Sequence, residues 1–215
     1  FDFFNSDLHL INAGFYSPIW RYFSLKKKEQ VILRLDGIGI DSEVGNSVLI
    51  KKEMSRLISK CGFLIYQSKF CRSCFKDIFD SLPDGRIIVN GAKKLSIPNS
   101  FTKNLIMKLN IKFKGNFFAI AGRFTERKRI RHVIDQFQES EIGNLVVLSN
   151  VPEKYKYKNN RILYLGMLEP LIARHIIANS KALIHFDRYD WCPNLVVGAI
   201  QDKIPIICSN FGGTP

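Results

Sequence analysis

DWCPNLVVGAIQDKIPIICSNFGGTP, residues 190–215, is the stretch from which the fold reads outward. A tight polar loop containing a proline (190–194) runs into a short apolar helix (195–201). A turn at Asp202 and Lys203 leads to a β-branched strand (204–208), and Gly212-Gly213 then makes a glycine turn. Loop, helix start, strand and glycine turn, in that order, are the parts of a pocket for a phosphorylated ligand. Backbone N–H groups at a helix start are unpaired, and the helix dipole favours negative charge there.

The 215 residues are 46% hydrophobic, enough for a real core and for one or two domains. The formal net charge is +13. Divided at residue 110, the chain has 17 basic and 10 acidic residues before and 15 and 9 after, so the excess is even across the halves. Such basicity suits anionic small molecules or a membrane surface better than nucleic acid, which is not expected as a partner; peripheral membrane contact stays open. The five cysteines (Cys61, Cys71, Cys74, Cys192, Cys208) have no framework spacing. Cys71 and Cys74 form a lone CxxC, which argues against zinc, and Cys61 and Cys208 read as small core residues. The set suits a reducing, cytoplasmic compartment. No apolar run approaches a membrane span and no signal-peptide pattern is visible. The chain starts at Phe1 without Met and stops at Pro215 just after a glycine turn, as expected of a segment of a longer protein.

Working back from residue 190, strands and helices alternate. In the second half, strands are expected at 117–121, 145–149, 161–165 and 182–186. Thr125 can cap a helix reaching Glu139, with Ile130, Val133, Ile134 and Phe137 on one face, and Pro170 opens another. In the first half, the aromatic stretch 1–24 reads as a loop plus short helix, with strands at 30–35, 63–67 and 86–89 and helices at 47–60 and 71–79. Residues 98–112 read as a connector. Short β-branched strands of the fully buried type, alternating with helices, predict an α/β protein with doubly wound parallel sheets. Two domains are expected, residues 1–110 and 111–215.

Three strand ends of the second half carry chemistry. Gly122 and Arg123 end one strand, and Lys128 follows in what reads as the first turn of the next helix. Two cations beside a helix start make an anion site; with Arg127, Arg129 and Arg131 as neighbours, a solvated basic face is the alternative. Gly166 and Met167 end a second strand, where a base could lie on the backbone. The 190–194 loop is the third. In open α/β sheets ligands bind beyond the carboxyl ends of the strands, where all three lie. Asp36 and Arg34, with Ser68 and Asn90, end strands of the first half; a plain Asp-Gly turn is the alternative for Asp36. His132 and His175 read as surface or packing residues and His185 as a satisfied core histidine.

GRFTERKRIRHVIDQF resembles the Gly-Arg-x4-Lys signature of the family 4 retaining glycosyltransferases of GT-B fold. YLGMLEPLIARHIIANSKALIHF resembles that family's nucleoside-binding segment, and residues 190–215 resemble its Glu-x7-Glu region. VILRLDGIGID, FLIYQSKFCRSCF and IIVNGAKK are similar to strand ends of its N-terminal domain. The resemblance covers nearly the whole chain in the expected order. It implies two Rossmann-like domains facing a cleft: a partial acceptor-side domain and a C-terminal nucleotide-sugar domain lacking its final helices. It also implies sugar transfer, with retention, from a UDP- or GDP-linked donor to a glycan, lipid or protein acceptor. By the same resemblance, Arg123 and Lys128, beside Gly122, bind the donor diphosphate, aided by backbone N–H groups of Asn194 and Leu195 after Pro193. Gly166 and Met167 meet the base, Asp190 reads the donor sugar, and Asp36 is a candidate sugar contact. Charge stabilisation of this kind makes a metal unnecessary. Two departures stand out: Asp190 replaces the first Glu, and Gly198 replaces the second, which contacts the ribose in the family. A catalytically inactive binding module of the same fold is therefore the alternative.

Overall fold

A computed structural model of the chain describes residues 7–13, 27–36 and 47–214. The aromatic stretch 1–6 and 14–26 and the turn and loop from Gly37 to residue 46 lie outside the described residues. Contacts divide the chain into two units, Phe1–Asn90 and Gly91–Pro215.

In the first unit, β1 (His9–Asn12), β2 (Val31–Leu35), β3 (Phe63–Tyr66) and β4 (Gly85–Ile87) form a parallel sheet in chain order. Helices α1 (Ser47–Ser59) and α2 (Lys69–Ile78) connect β2 to β3 and β3 to β4. Ser68 starts α2 by accepting a hydrogen bond from the N–H of Cys71 at 3.0 Å. Residues 9–12 were expected in a loop-and-helix segment. They form a strand instead, because the short run His-Leu-Ile-Asn pairs in register with Val31 to Arg34.

The second unit opens with a helix where a connector was expected. α3 (Ser100–Phe113) is capped by Asn99, whose side chain accepts from the N–H of Thr102 at 2.8 Å. Its buried face carries Leu109 and Phe113, with Leu105 packed against the same core. That packing places residues 91–110, expected in the first domain, within the second unit. There follow β5 (Phe117–Ala121), α4 (Ile130–Glu139), β6 (Asn144–Leu148), β7 (Ile162–Tyr164), α5 (Pro170–Ala178), β8 (Leu183–His185), α6 (Asn194–Gln201) and β9 (Ile206–Cys208). The parallel sheet has the order β7-β6-β5-β8-β9. Side chains alternate across it with the two-residue period of a strand. Phe117 and Ala119 join a core with α3, α5 and α6, whereas Ile120 faces Val133, Ile134 and Phe137 of α4. Layers on both faces and the reversal of order between β5 and β8 make this sheet doubly wound. Cys208, expected in the core, is exposed at the end of β9. Among the described residues no helix is long and apolar enough to cross a membrane.

Helices α5 and α6 are locked by one ion pair. Arg174 donates from Nε and Nη2 to the two carboxylate oxygens of Asp202 at 2.6 and 2.7 Å, and both side chains are largely buried. Arg174→Ala leaves a nearly buried carboxylate unpaired, and denaturant unfolding is expected to register a loss of roughly 3 kcal/mol. The double variant Arg174→Met, Asp202→Leu should recover most of it.

Candidate functional site

The point where strand order reverses lies between β5 and β8, and both strands send a charged segment past their carboxyl ends. After β5 the chain turns at Gly122, whose φ of 140° disfavours a residue with a Cβ. A tight loop follows, closed by bonds from the N–H groups of Thr125, Lys128 and Arg129 to the carbonyls of Arg123, Thr125 and Glu126 at 3.0, 3.2 and 3.1 Å. Arg129 is left-handed, with φ of 53°, so α4 begins at Ile130. Thr125 is therefore not the helix cap, and Lys128 stands in the loop ahead of the helix rather than in its first turn.

Lys128 reaches across to the segment after β8. Its Nζ lies 2.6 Å from Asp187 Oδ2 and 2.9 Å from Asp190 Oδ2. Arg127 adds a longer pair to Asp187 at 3.5 Å, and the Tyr189 N–H donates to its other oxygen at 3.1 Å. The Asp187 side chain has no exposed surface. Burial alone would raise its pKa; the close Lys128 ammonium, the Tyr189 N–H and the Arg127 charge outweigh that and hold it below the ordinary carboxylate range. His185 is buried as expected, yet its Nε2 has no hydrogen-bond partner and sits 3.9 Å from Asp190 Oδ2. Burial and the Lys128 charge push its pKa down, against Asp190 and Asp187, so the ring is neutral at pH 7 and forms no ion pair. His185, Asp187 and Asp190 offer ligand atoms within 4.8 Å of one another, a set that could hold a metal ion. Here the Lys128 ammonium takes the cation's place between the carboxylates.

The 190–194 loop is fastened from behind. Gly213 N–H donates to Asp190 O at 2.7 Å, and a Cβ on Gly213 would lie 2.0 Å from the carbonyl oxygen of Trp191, so only glycine fits. Pro193 is buried and precedes α6, which starts at Asn194, with Leu195 next in its first turn. Arg123 is exposed, and its side chain makes no hydrogen bond or ion pair among the described residues. Gly166 adopts φ of 71°, and Met167 is exposed, but its N–H is taken by Asn150 Oδ1 at 2.8 Å. A base lying there would meet other backbone atoms than that donor. Gly198 is buried in α6, and a Cβ on it would lie 3.3 Å from Arg174 Nε. A side chain at position 198 would thus press on the Arg174 guanidinium that pairs with Asp202.

In the first unit, Asp36 follows β2 and is held by neighbours at adjacent strand ends. Arg34 donates to its Oδ1 at 2.6 Å, and Gln67 donates to the same oxygen. Arg34 also donates to Asn90. Sequence reasoning named Asp36, Arg34 and Asn90 but passed over Gln67. It also missed Asp187 and Asn150, and named Arg127 only as part of a basic face. Asp187 was within reach: an acid just past a buried strand, across the reversal point from a lysine.

Acidification tests this cluster. A base with a lowered pKa supports the folded state fully above its unfolded value and progressively less below it. His185 and His175, both lowered from 6.5, therefore make stability fall as pH drops below about 6.5. Asp187, lowered from 3.8, adds a second loss below that value, complete once its folded pKa is passed. Thermal melting across pH should show both steps, and His185→Gln should flatten the first; a profile unchanged by that substitution refutes the assignment.

No protein-family model and no curated protein sequence matches the chain. Solved structures do. Sucrose-phosphate synthase from Thermosynechococcus elongatus superposes with a TM-score of 0.75 at 15% identity, over 96% of this chain and 57% of that one. HepE of Anabaena in complex with UDP-glucose gives 0.64 at 15% identity, over 85% and 54%. A UDP-forming α,α-trehalose-phosphate synthase from Burkholderia xenovorans with glucose-6-phosphate gives 0.65 at 11% identity, over 96% and 59%. The chain thus spans less than two thirds of the length of these relatives. What it shares with them is the GT-B fold: Rossmann-like units of parallel sheet and alternating helices.

Proposed function

We propose that the chain is part of a glycosyltransferase of family 4 type that moves a sugar from a nucleoside diphosphate donor, UDP- or GDP-linked, to a glycan, lipid or protein acceptor. The observation that carries this reading is the charge arrangement where strand order reverses: Arg123 beside Gly122, without a partner among the described residues, and Lys128 anchored by Asp187 and Asp190. In the reaction the bond from the sugar's anomeric carbon to the diphosphate oxygen breaks, a new one forms to the oxygen of an acceptor hydroxyl with retention, and the hydroxyl proton passes to the departing diphosphate. Arg123 and Lys128 stabilise the charge gathering on the leaving diphosphate without a metal, and the N–H groups at the start of α6 add to that field. In this reading Asp190, paired with Lys128 in the free protein, accepts from a sugar hydroxyl once Lys128 turns toward phosphate. Asp36, held by Arg34 and Gln67, is a further sugar contact in the first unit, which takes the acceptor side.

Lys128→Ala is an ambiguous test, since it strands the buried Asp187. Arg123→Ala is clean because that side chain has no partner among the described residues. UDP or GDP is expected to raise the melting temperature of the protein, and Arg123→Ala to weaken nucleotide binding roughly tenfold or more at an unchanged ligand-free melting temperature. Failure of both nucleotides to bind the well-folded protein rejects the reading.

A second reading, a catalytically silent binding module of this fold, is favoured by Gly198 and by the guanidinium packed against it. Turnover of a UDP- or GDP-sugar by the unaltered protein excludes it. Turnover only after Gly198→Glu supports it.

A further inference from the structure

Between Asp84 and Glu126 the chain has no acidic residue. Within that span, residues 93–114 contain six lysines: Lys93, Lys94, Lys103, Lys108, Lys112 and Lys114. Even totals for the two halves conceal this run. It coincides with α3 and the segment leading into it, and the same stretch exposes large apolar side chains. Ile97 is 86% exposed, Phe101 59%, Met107 53% and Ile111 73%. On a helical wheel Met107 and Ile111, four residues apart, lie opposite the buried Thr102, Leu109 and Phe113. Lys103 flanks them on one side, and Lys108 and Lys112 on the other, while Lys114 caps the end of the helix. A shallow groove lined by Pro98, Lys103, Ile106, Met107, Asn110 and Ile111 continues the apolar strip toward Asn179.

We infer that this face of α3 is a membrane-docking surface for an anionic lipid leaflet. Two properties select that partner. An apolar centre with a rim of lysines matches the depth profile of a bilayer surface, where acyl chains lie beneath anionic headgroups. Lysine stems can also lie along the apolar strip and lift their ammonium groups to the headgroup level. The run itself contributes no carboxylate that would oppose anionic lipid. A nucleic acid would use the lysines but leave Met107 and Ile111 without a role. A second copy of the chain would have to bring six more lysines against these. The inference does not depend on glycosyl transfer and stands or falls separately from it.

Co-sedimentation with vesicles tests it on the whole protein. Binding is expected to vesicles of phosphatidylcholine plus phosphatidylserine and not to phosphatidylcholine alone. Met107→Ser with Ile111→Asp should abolish binding. Lys103→Gln and Lys108→Gln should each weaken it roughly fivefold, with added salt acting in the same direction. All four side chains are exposed, so circular dichroism and melting temperature should match the unaltered protein. The inference is overturned if the unaltered protein ignores phosphatidylserine vesicles or if the Met107, Ile111 variant binds them equally well. It is also overturned if light scattering without lipid shows a dimer that the same variant dissociates, because a second copy then covers the face.

Discussion

The second unit depends on a lysine and an aspartate that are 59 positions apart in the sequence and 2.6 Å apart in space. Lys128 projects from the loop after β5, and Asp187 lies beyond the end of β8. Their pair closes the sheet across the point where strand order reverses. Neither partner would be tolerable alone: an unpaired carboxylate with no exposed surface costs several kcal/mol, and withdrawing a lysine from water is costly as well. The same contact ties down the 123–129 loop and keeps Asp187 ionised, and the Lys128 charge adds to the burial that keeps His185 neutral. Structural and chemical requirements therefore meet in one ion pair. A side chain so placed can meet an anion from outside only by sharing its charge with the carboxylates behind it.

Much of the second unit was legible from residues 117–208. Runs such as Phe-Phe-Ala-Ile-Ala and Asn-Leu-Val-Val-Leu have the buried β-branched or aromatic character of central parallel strands. Ile130, Val133, Ile134 and Phe137 mark a helix by spacing alone. The misses have particular physical causes. α3 escaped because it carries apolar residues on both faces, so its sequence lacks the clean one-sided stripe that identifies a surface helix. Leu105, Leu109 and Phe113 were present at helical spacing, but Met107 and Ile111 obscured them. The start of α4 was misplaced because Arg129 adopts a left-handed conformation that no propensity scale favours for arginine.

At the candidate site the sequence could offer residue types and strand ends, and it located the Gly122-Arg123, Gly166-Met167 and 190–194 elements. It could not tell which groups pair. Asp187 belongs to the short run His-Phe-Asp-Arg-Tyr-Asp, where either aspartate could serve the loop; only the fold shows that the buried one and Asp190 share Lys128. Likewise, Gly198 looked like a simple loss of a carboxylate. In three dimensions a side chain there would press on the neighbouring Arg174, whose bond to Asp202 braces two helices.

The loop from Gly122 to Arg129 has a consequence in entropy. Left-handed φ values mark both its ends, three backbone bonds cross it, and Arg127 O and the Arg127 guanidinium are tied to the Arg188 N–H and Tyr189 O, both at 3.4 Å. Fixing each residue of a free chain costs about 1–2 kcal/mol, and here most of that cost is met when the unit folds. Capturing a small anion then requires little further ordering of backbone, so affinity can rest on few contacts, and those contacts keep nearly their full value.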